Sequence, residues 1–223
     1  SIPDLLDRVD AVMLESVDGG VHLEQAIPVF ESGLPVFIDK PLAGSFDDAI
    51  EIDRLANCHS VPCFSASSIR YSSPLTNLRD DASIGEINGA VVWGPCHTQD
   101  NVPDLYFYGI HGIEGLFTLL GRGCSSAQRA STEQMEVVVG AWPDGRIGTY
   151  QGIRNSNAVF GAAVFGSEST VSRAIEIPYR ELCIEIAKFF ITKRPPVPLE
   201  ETIEIFRFMQ AAETSKTQNG QVV

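Results

Sequence analysis

The chain has 223 residues, 44% of them hydrophobic, which is enough for one large domain or two modest ones with a buried core. Its net charge of −13, with acidic and basic residues interspersed, leaves no electrostatic footprint for nucleic acid or an anionic membrane. The longest apolar stretches, such as residues 90–93 and 136–142, are strand-length and fall short of the ~20 residues that a membrane helix needs.

In chain order, residues 10–16 (DAVMLES), 35–39 (PVFID) and 61–66 (VPCFSA) are short apolar runs bounded by polar or Pro-containing segments, the pattern of fully buried strands. Between the first two, Leu23, Ala26, Ile27 and Phe30 recur at helical spacing and predict a helix with one apolar face, ended by Gly33. A second helix is predicted from Ser45 as N-cap. Its apolar side is Phe46, Ala49, Ile50 and Leu55, and Asp47 and Asp48 suit the positive end of its dipole. Strand and helix in alternation read as parallel βαβ units. Open α/β sheets bind ligands at the carboxyl ends of their strands, which directs attention to Glu15-Ser16, Asp39-Lys40-Pro41 and Ala66-Ser67-Ser68.

After about residue 85 the rhythm changes. Strands are predicted at 88–94, 124–131, 135–142, 146–153 and 158–166, with Asp144-Gly145 as a hairpin turn. They define an α+β domain with an open, mainly antiparallel sheet. A helix over 104–120 interrupts them, its buried stripe being Ile113, Leu116, Phe117 and Leu120. Two further helices, at about 179–192 and 199–214, are separated by the breaker Arg194-Pro195-Pro196. The fold class is therefore α/β: a parallel sheet over residues 1–80, followed by a second domain over 81–223.

Two segments carry chemistry. The strand Phe37-Ile38 delivers an acid and a base, Asp39 and Lys40, to its carboxyl end, followed at once by Pro41. Further on, His111 shares one side of its helix with Glu114, Gly115 and Thr118, away from the apolar stripe, and the flanking Gly109 and Gly112 leave room for a close approach. A solvated lysine and a structural histidine are the plainer readings of each residue alone. His22 opens its helix, while His59 and His97 fall in loops. No HxxxH or clustered Cys/His spacing supports a metal site. Cys58, Cys63, Cys96, Cys124 and Cys183 are an odd set without CxxC spacing, which fits small hydrophobes in a reduced, cytoplasmic compartment.

Taken together, DAVMLES, His22 at a helix start, and ESGLPVFIDKPLA resemble the end of the nucleotide-binding domain of Gfo/Idh/MocA-type NAD(P)-dependent oxidoreductases. Asp39 stands where that pattern has Glu. The segment from Tyr108 to Glu114 is similar to the family's D-x-G-x-H-x-x-D helix, with Phe107 at the first Asp and Glu114 at the last. A third match, from Ser67 to Pro74, resembles the exit from the nucleotide domain and includes Arg70.

The resemblance implies a sugar, inositol or polyol dehydrogenase using NAD or NADP, in which residues 1–80 are the truncated, C-terminal part of a Rossmann-type nucleotide-binding domain and 81–223 a substrate-binding and oligomerisation domain. Lys40 and His111 would be catalytic and face one cleft. Glu15, Ser16, His22, Asp39, Lys40 and Arg70 would bind the cofactor, and Lys40, Tyr108, His111 and Glu114 the substrate. It also implies a homodimer or higher even oligomer formed through an open sheet face that includes Val137, Val139, Tyr150 and Ile153. Loss of the first Asp to Phe107 leaves open a non-catalytic or regulatory ligand-binding relative, and a purely structural oligomeriser is a third reading. No GxGxxG follows a strand, so a start within a longer gene product is expected, with weak dinucleotide binding by this chain alone.

Overall fold

The computed structural model describes residues 1–100, 102–154, 157 and 159–223. It divides into two compact units, Ser1–Ser67 with Tyr179–Phe206, and Ser68–Pro178 with Arg207–Val223.

In the first unit the short apolar runs become β1 (Val12–Leu14), β2 (Val36–Ile38) and β3 (Cys63–Phe64). They pair in parallel in the order β1-β2-β3. The crossovers are α2 (His22–Ser32) and α3 (Phe46–His59), preceded by the short α1 (Ile2–Leu6). Gly33 ends α2 with φ of 76°, a left-handed conformation that costs glycine little. Ser45 caps α3 by accepting a 3.1 Å bond from the Asp48 backbone N–H.

Both buried stripes are rotated from the sequence reading. α2 buries His22, Ala26, Val29 and Phe30 and leaves Ile27 exposed, while α3 buries Ala49, Ile52 and Ala56 and leaves Ile50 exposed. Apolar side chains at i and i+4 do not fix which flank meets the sheet when their neighbours are also apolar.

The first of the two closing helices, α6 (Tyr179–Thr192), belongs to this unit although it follows the other sheet in sequence. Its Phe189 meets Phe64 of β3 edge-on at 4.8 Å, and Phe64 in turn contacts Phe37 at 5.0 Å. The first break between the units falls at Ser67/Ser68, directly before the turn Ser68–Tyr71.

The second unit is built on a six-stranded sheet of order β5-β6-β7-β4-β8-β9. Its strands are β4 (Ile87–Pro95), β5 (Ser126–Ser131), β6 (Met135–Ala141), β7 (Ile147–Ile153), β8 (Phe160–Gly166) and β9 (Thr170–Ile175). All neighbours are antiparallel except β4 and β7, which run parallel at the centre. The strand expected at 158–166 thus starts at Phe160; Ala158 lies outside the described residues. β9 escaped the sequence reading because its residues are mostly exposed at the sheet edge and lack an apolar alternation.

One face of this sheet is covered by α5 (Ile110–Leu120) and by the second half of α7 (Leu199–Thr217), with α4 (Ser73–Asp80) packed on α5. Phe117 of α5 meets Trp142 at 5.7 Å and Phe208 of α7 at 5.6 Å. Tyr150 points to this covered side and is fully buried, so it is not part of the open face on which the sequence reading put it. Strand alternation leaves Val137, Val139 and Ile153 half-buried on the other face.

Candidate functional site

In the first unit, Asp39 and Lys40 directly follow β2, and Glu15 and Ser16 directly follow β1, all at the carboxyl end of the parallel sheet. The loops here approach closely enough to exclude side chains. A Cβ on Gly19 would lie 2.6 Å from Pro41 Cγ, and one on Gly44 only 2.7 Å from Gly20 Cα.

His22 sits beneath this contact, fully buried. Its Nδ1 is 2.9 Å from the Pro41 carbonyl oxygen and its Nε2 is 3.0 Å from that of Ser16. The ring therefore ties the end of β1 to the end of β2. It presents no surface to a ligand in this arrangement, which makes its role one of holding the loop.

Lys40 and Asp39 are half-buried, and the Lys40–Pro41 peptide is cis. Burial pushes the Asp39 carboxyl above its usual range, opposed by the adjacent Lys40 and by His22. Ser16 is half-buried, its hydroxyl bonded to Gln25 Oε1 at 2.9 Å, and Glu15 is exposed.

In the second unit, His111 does not face away from the core: every residue of α5 from Ile110 to Leu120 is buried. The helix is enclosed by the sheet on one side and by α4 and the turn Ser68–Tyr71 on the other. At 5% exposure, the His111 ring stands edge-on to Tyr108 at 5.1 Å and to Phe160 at 5.9 Å. Tyr108 also contacts His97 at 5.0 Å and Phe107 at 6.0 Å. Phe107 and Tyr108 are both half-buried. The surroundings of the candidate acid/base are thus a cluster of aromatic rings.

Glu114 is turned to Arg70, whose Nε donates to its Oε1 at 2.9 Å, with side-chain exposures of 6% and 12%. The residue expected at the substrate and the residue expected at the cofactor are bonded to each other inside one unit. Tertiary contact decides this pairing, and a separation of 44 positions hides it from any local pattern.

Sequence reasoning missed a second group of charges altogether. Arg129 on β5, with a fully buried side chain, donates to Glu136 Oε2 at 2.7 Å and also bonds Glu213 and, at 3.0 Å, Asp104. Arg154 donates to Glu136 Oε1 at 2.5 Å, and Lys216 bonds Asp104. The one available signal was an Arg at an inward position of a strand, two residues after the buried Ala127. Among the described residues no group of three or more His, Cys, Asp or Glu is placed to hold a metal ion. No described helix is long and apolar enough to cross a membrane.

Solved structures share this fold over essentially the whole chain. A myo-inositol 2-dehydrogenase from Lactobacillus plantarum aligns with a TM-score of 0.84 at 19% identity, covering 99% of this chain and 82% of that one. A scyllo-inositol dehydrogenase from Lactobacillus casei, with bound NAD(H) and scyllo-inositol, gives 0.83 at 13% identity over 100% and 83%. In sequence, an inositol 2-dehydrogenase from Corynebacterium glutamicum is 29% identical over 101 residues, which is 45% of this chain and 30% of that protein. No family model matches the sequence. The fold is that of the Gfo/Idh/MocA-type dehydrogenases, as the sequence resemblance implied.

Proposed function

We propose that this chain belongs to an oxidoreductase that transfers hydride between NAD(P) and a secondary alcohol of a sugar, an inositol or a related polyol. The observation that carries the proposal is the delivery of Lys40 to the ligand-binding end of a parallel sheet by a loop that His22 and two close glycine contacts hold in place. The likeness in fold to inositol dehydrogenases supports it.

In this reading bound NAD(P) supplies the hydride acceptor for alcohol oxidation. Lys40 donates a hydrogen bond to the substrate hydroxyl and stabilises the alkoxide that develops as hydride leaves. His111 takes up the hydroxyl proton, with Tyr108 as its neighbour on the substrate side. Ser16, Asp39 and Lys40, which follow β1 and β2, would receive the nicotinamide end of the cofactor. No GxGxxG turn, the usual receiver of a dinucleotide pyrophosphate, follows a strand in these 223 residues.

Residues 1–80 serve as the later part of a nucleotide-binding domain, and 81–223 bind substrate and carry the oligomeric contact. The open face bearing Val137, Val139 and Ile153 is the surface through which two copies pair. A non-catalytic relative is the second reading, and Phe107 favours it. Of the two carboxylates nearest in sequence, Asp104 and Glu114, the first is engaged by Arg129, Arg154 and Lys216 and the second by Arg70.

The test is oxidation of a panel of inositols, sugars and polyols by the protein, followed through reduction of NAD and NADP. Turnover of a cyclic polyol or sugar is expected. Tight NAD(H) binding without turnover across the panel would favour the non-catalytic reading.

A further inference from the structure

Asp104 stands at the N-cap of a five-residue π-helical turn, Leu105–Gly109, that runs directly into α5. Tyr108 belongs to the turn and His111 to the first turn of α5, so whatever fixes this start fixes both rings. An Asp at such a position ordinarily accepts from its own helix. Here the carboxylate makes no such cap bond. It is met instead by three cations from three other places: Arg129 of β5 at 3.0 Å, Arg154 after β7 at 3.2 Å, and Lys216 of α7.

Behind Asp104 the charges close on themselves. Arg129 is completely buried and also bonds Glu136 and Glu213, and Glu136, 1% exposed, accepts from Arg154 and from the Ser131 hydroxyl. Three acids balance three bases, and two of the members sit on paired strands β5 and β6. The sheet is the rigid element. Asp104 is the member of the network that caps the π turn, and such turns are rare and frequently found at functional sites.

We propose that Asp104 is a positioning residue for His111: the Arg129–Arg154–Lys216 cluster grips its carboxylate and so sets the π turn that places Tyr108 against His111 and Phe160. The inference rests on the reading of His111 as the proton-transferring group for its functional meaning. The geometric claim stands apart from that reading, because it concerns the surroundings of one ring.

The experiment is histidine-ring NMR of the chain, comparing wild type with Asp104→Asn, the conservative Asp104→Glu, and Lys216→Met. His22 lies in the other unit and serves as the internal reference. In Asp104→Asn the His111 ring-proton signal is expected to lose its ring-current shift from Tyr108 and Phe160 and its cross-peaks to them, while the His22 signal and the methyl dispersion of the core are retained. Asp104→Glu should restore part of the shift. Lys216→Met, which removes the most exposed of the three cations, should move the signal in the same direction by less, and it remains informative if Asp104→Asn does not fold. A folded Asp104→Asn with the His111 signal and cross-peaks unchanged would overturn the proposal, as would an unmoved signal in Lys216→Met where Asp104→Asn fails to fold. Loss of the His111 contacts in a protein that never oxidises an alcohol would uphold the positioning role and reject only the catalytic one.

Discussion

Asp39 shows how a single titratable residue can work against stability at the carboxyl end of a parallel strand. Burial raises its carboxyl pKa above the value it has in the unfolded chain, despite the nearby Lys40. At acid pH, below the usual Asp range near 4, the carboxyl is protonated in both states and contributes no difference. As the pH rises, the unfolded chain ionises first, so the folded state loses stability relative to it, and the loss is complete above the folded pKa. Asp39→Asn is therefore expected to raise the melting temperature at neutral pH and to leave it nearly unchanged at strongly acid pH. A thermal melt at the two pH values checks it. An equal gain at both would mean that lost charge is not the cause.

His22 carries a different lesson at the same scale. Its two ring nitrogens are the link between Ser16 and Pro41, and His22→Ala would leave the buried Pro41 carbonyl and the part-buried Ser16 carbonyl without that partner. An unsatisfied buried group costs about 1–3 kcal/mol. Denaturant unfolding should show a loss of at least that size, larger than for a substitution at exposed His59.

At the scale of elements, α5 is the clearest case of packing that dictates residue type. Its Gly112 lies on the ring of Tyr150, where a Cβ would come within 2.3 Å of Cε2. Gly112→Ala must displace a fully buried aromatic side chain of β7, and overpacking of this kind costs about 1–3 kcal/mol. The urea midpoint should fall accordingly, and an unchanged midpoint would show that the helix can shift along the sheet without penalty.

The same helix shows where sequence reasoning stops. Its existence and its Ile113/Leu116/Phe117/Leu120 stripe follow from spacing, and those residues are buried as expected. That His111 and Glu114 are buried too does not follow, because the second covering layer comes from α4 and the turn at Ser68–Tyr71, forty residues earlier. Strands β1, β2 and β3 were legible because buried parallel strands are continuous apolar runs. Edge strand β9 was not, since an exposed strand carries no such run. Lys40 and His111 could be singled out from the sequence, whereas the Asp104–Arg129–Glu136 network could not. Its members come from separate elements and meet only once the sheet has formed.

For the whole molecule the buried network makes acid the expected weakness of the second unit. Burial pushes the carboxyls of Asp104 and Glu136 up, but bonds and attraction from Lys216, Arg129 and Arg154 outweigh it and hold both below their usual values. A depressed carboxyl pKa contributes stability that is present above the unfolded value near 4 and is lost as the pH falls through the folded value. Melting curves should be flat at neutral and mildly acid pH and drop below about pH 4. Glu136→Gln, which leaves Arg129 and Arg154 short of a buried partner, should cost about 3–5 kcal/mol at neutral pH. Sedimentation of the chain at micromolar concentration should show a dimer or higher even oligomer, and Val137→Lys on the open sheet face should shift it toward monomer.

The proposed chemistry requires Lys40 and His111 to act on one alcohol. The most direct test is the turnover number on whichever alcohol of the inositol, sugar and polyol panel is oxidised fastest, compared among wild type, Lys40→Ala and His111→Gln with folding verified for each. Proton transfer by a positioned side chain contributes about 10²–10⁴-fold and one donor to a developing oxyanion about 10²–10³-fold, so each variant should lose turnover by at least about 10²-fold. Turnover within a few-fold of wild type in either folded variant would contradict the assignment.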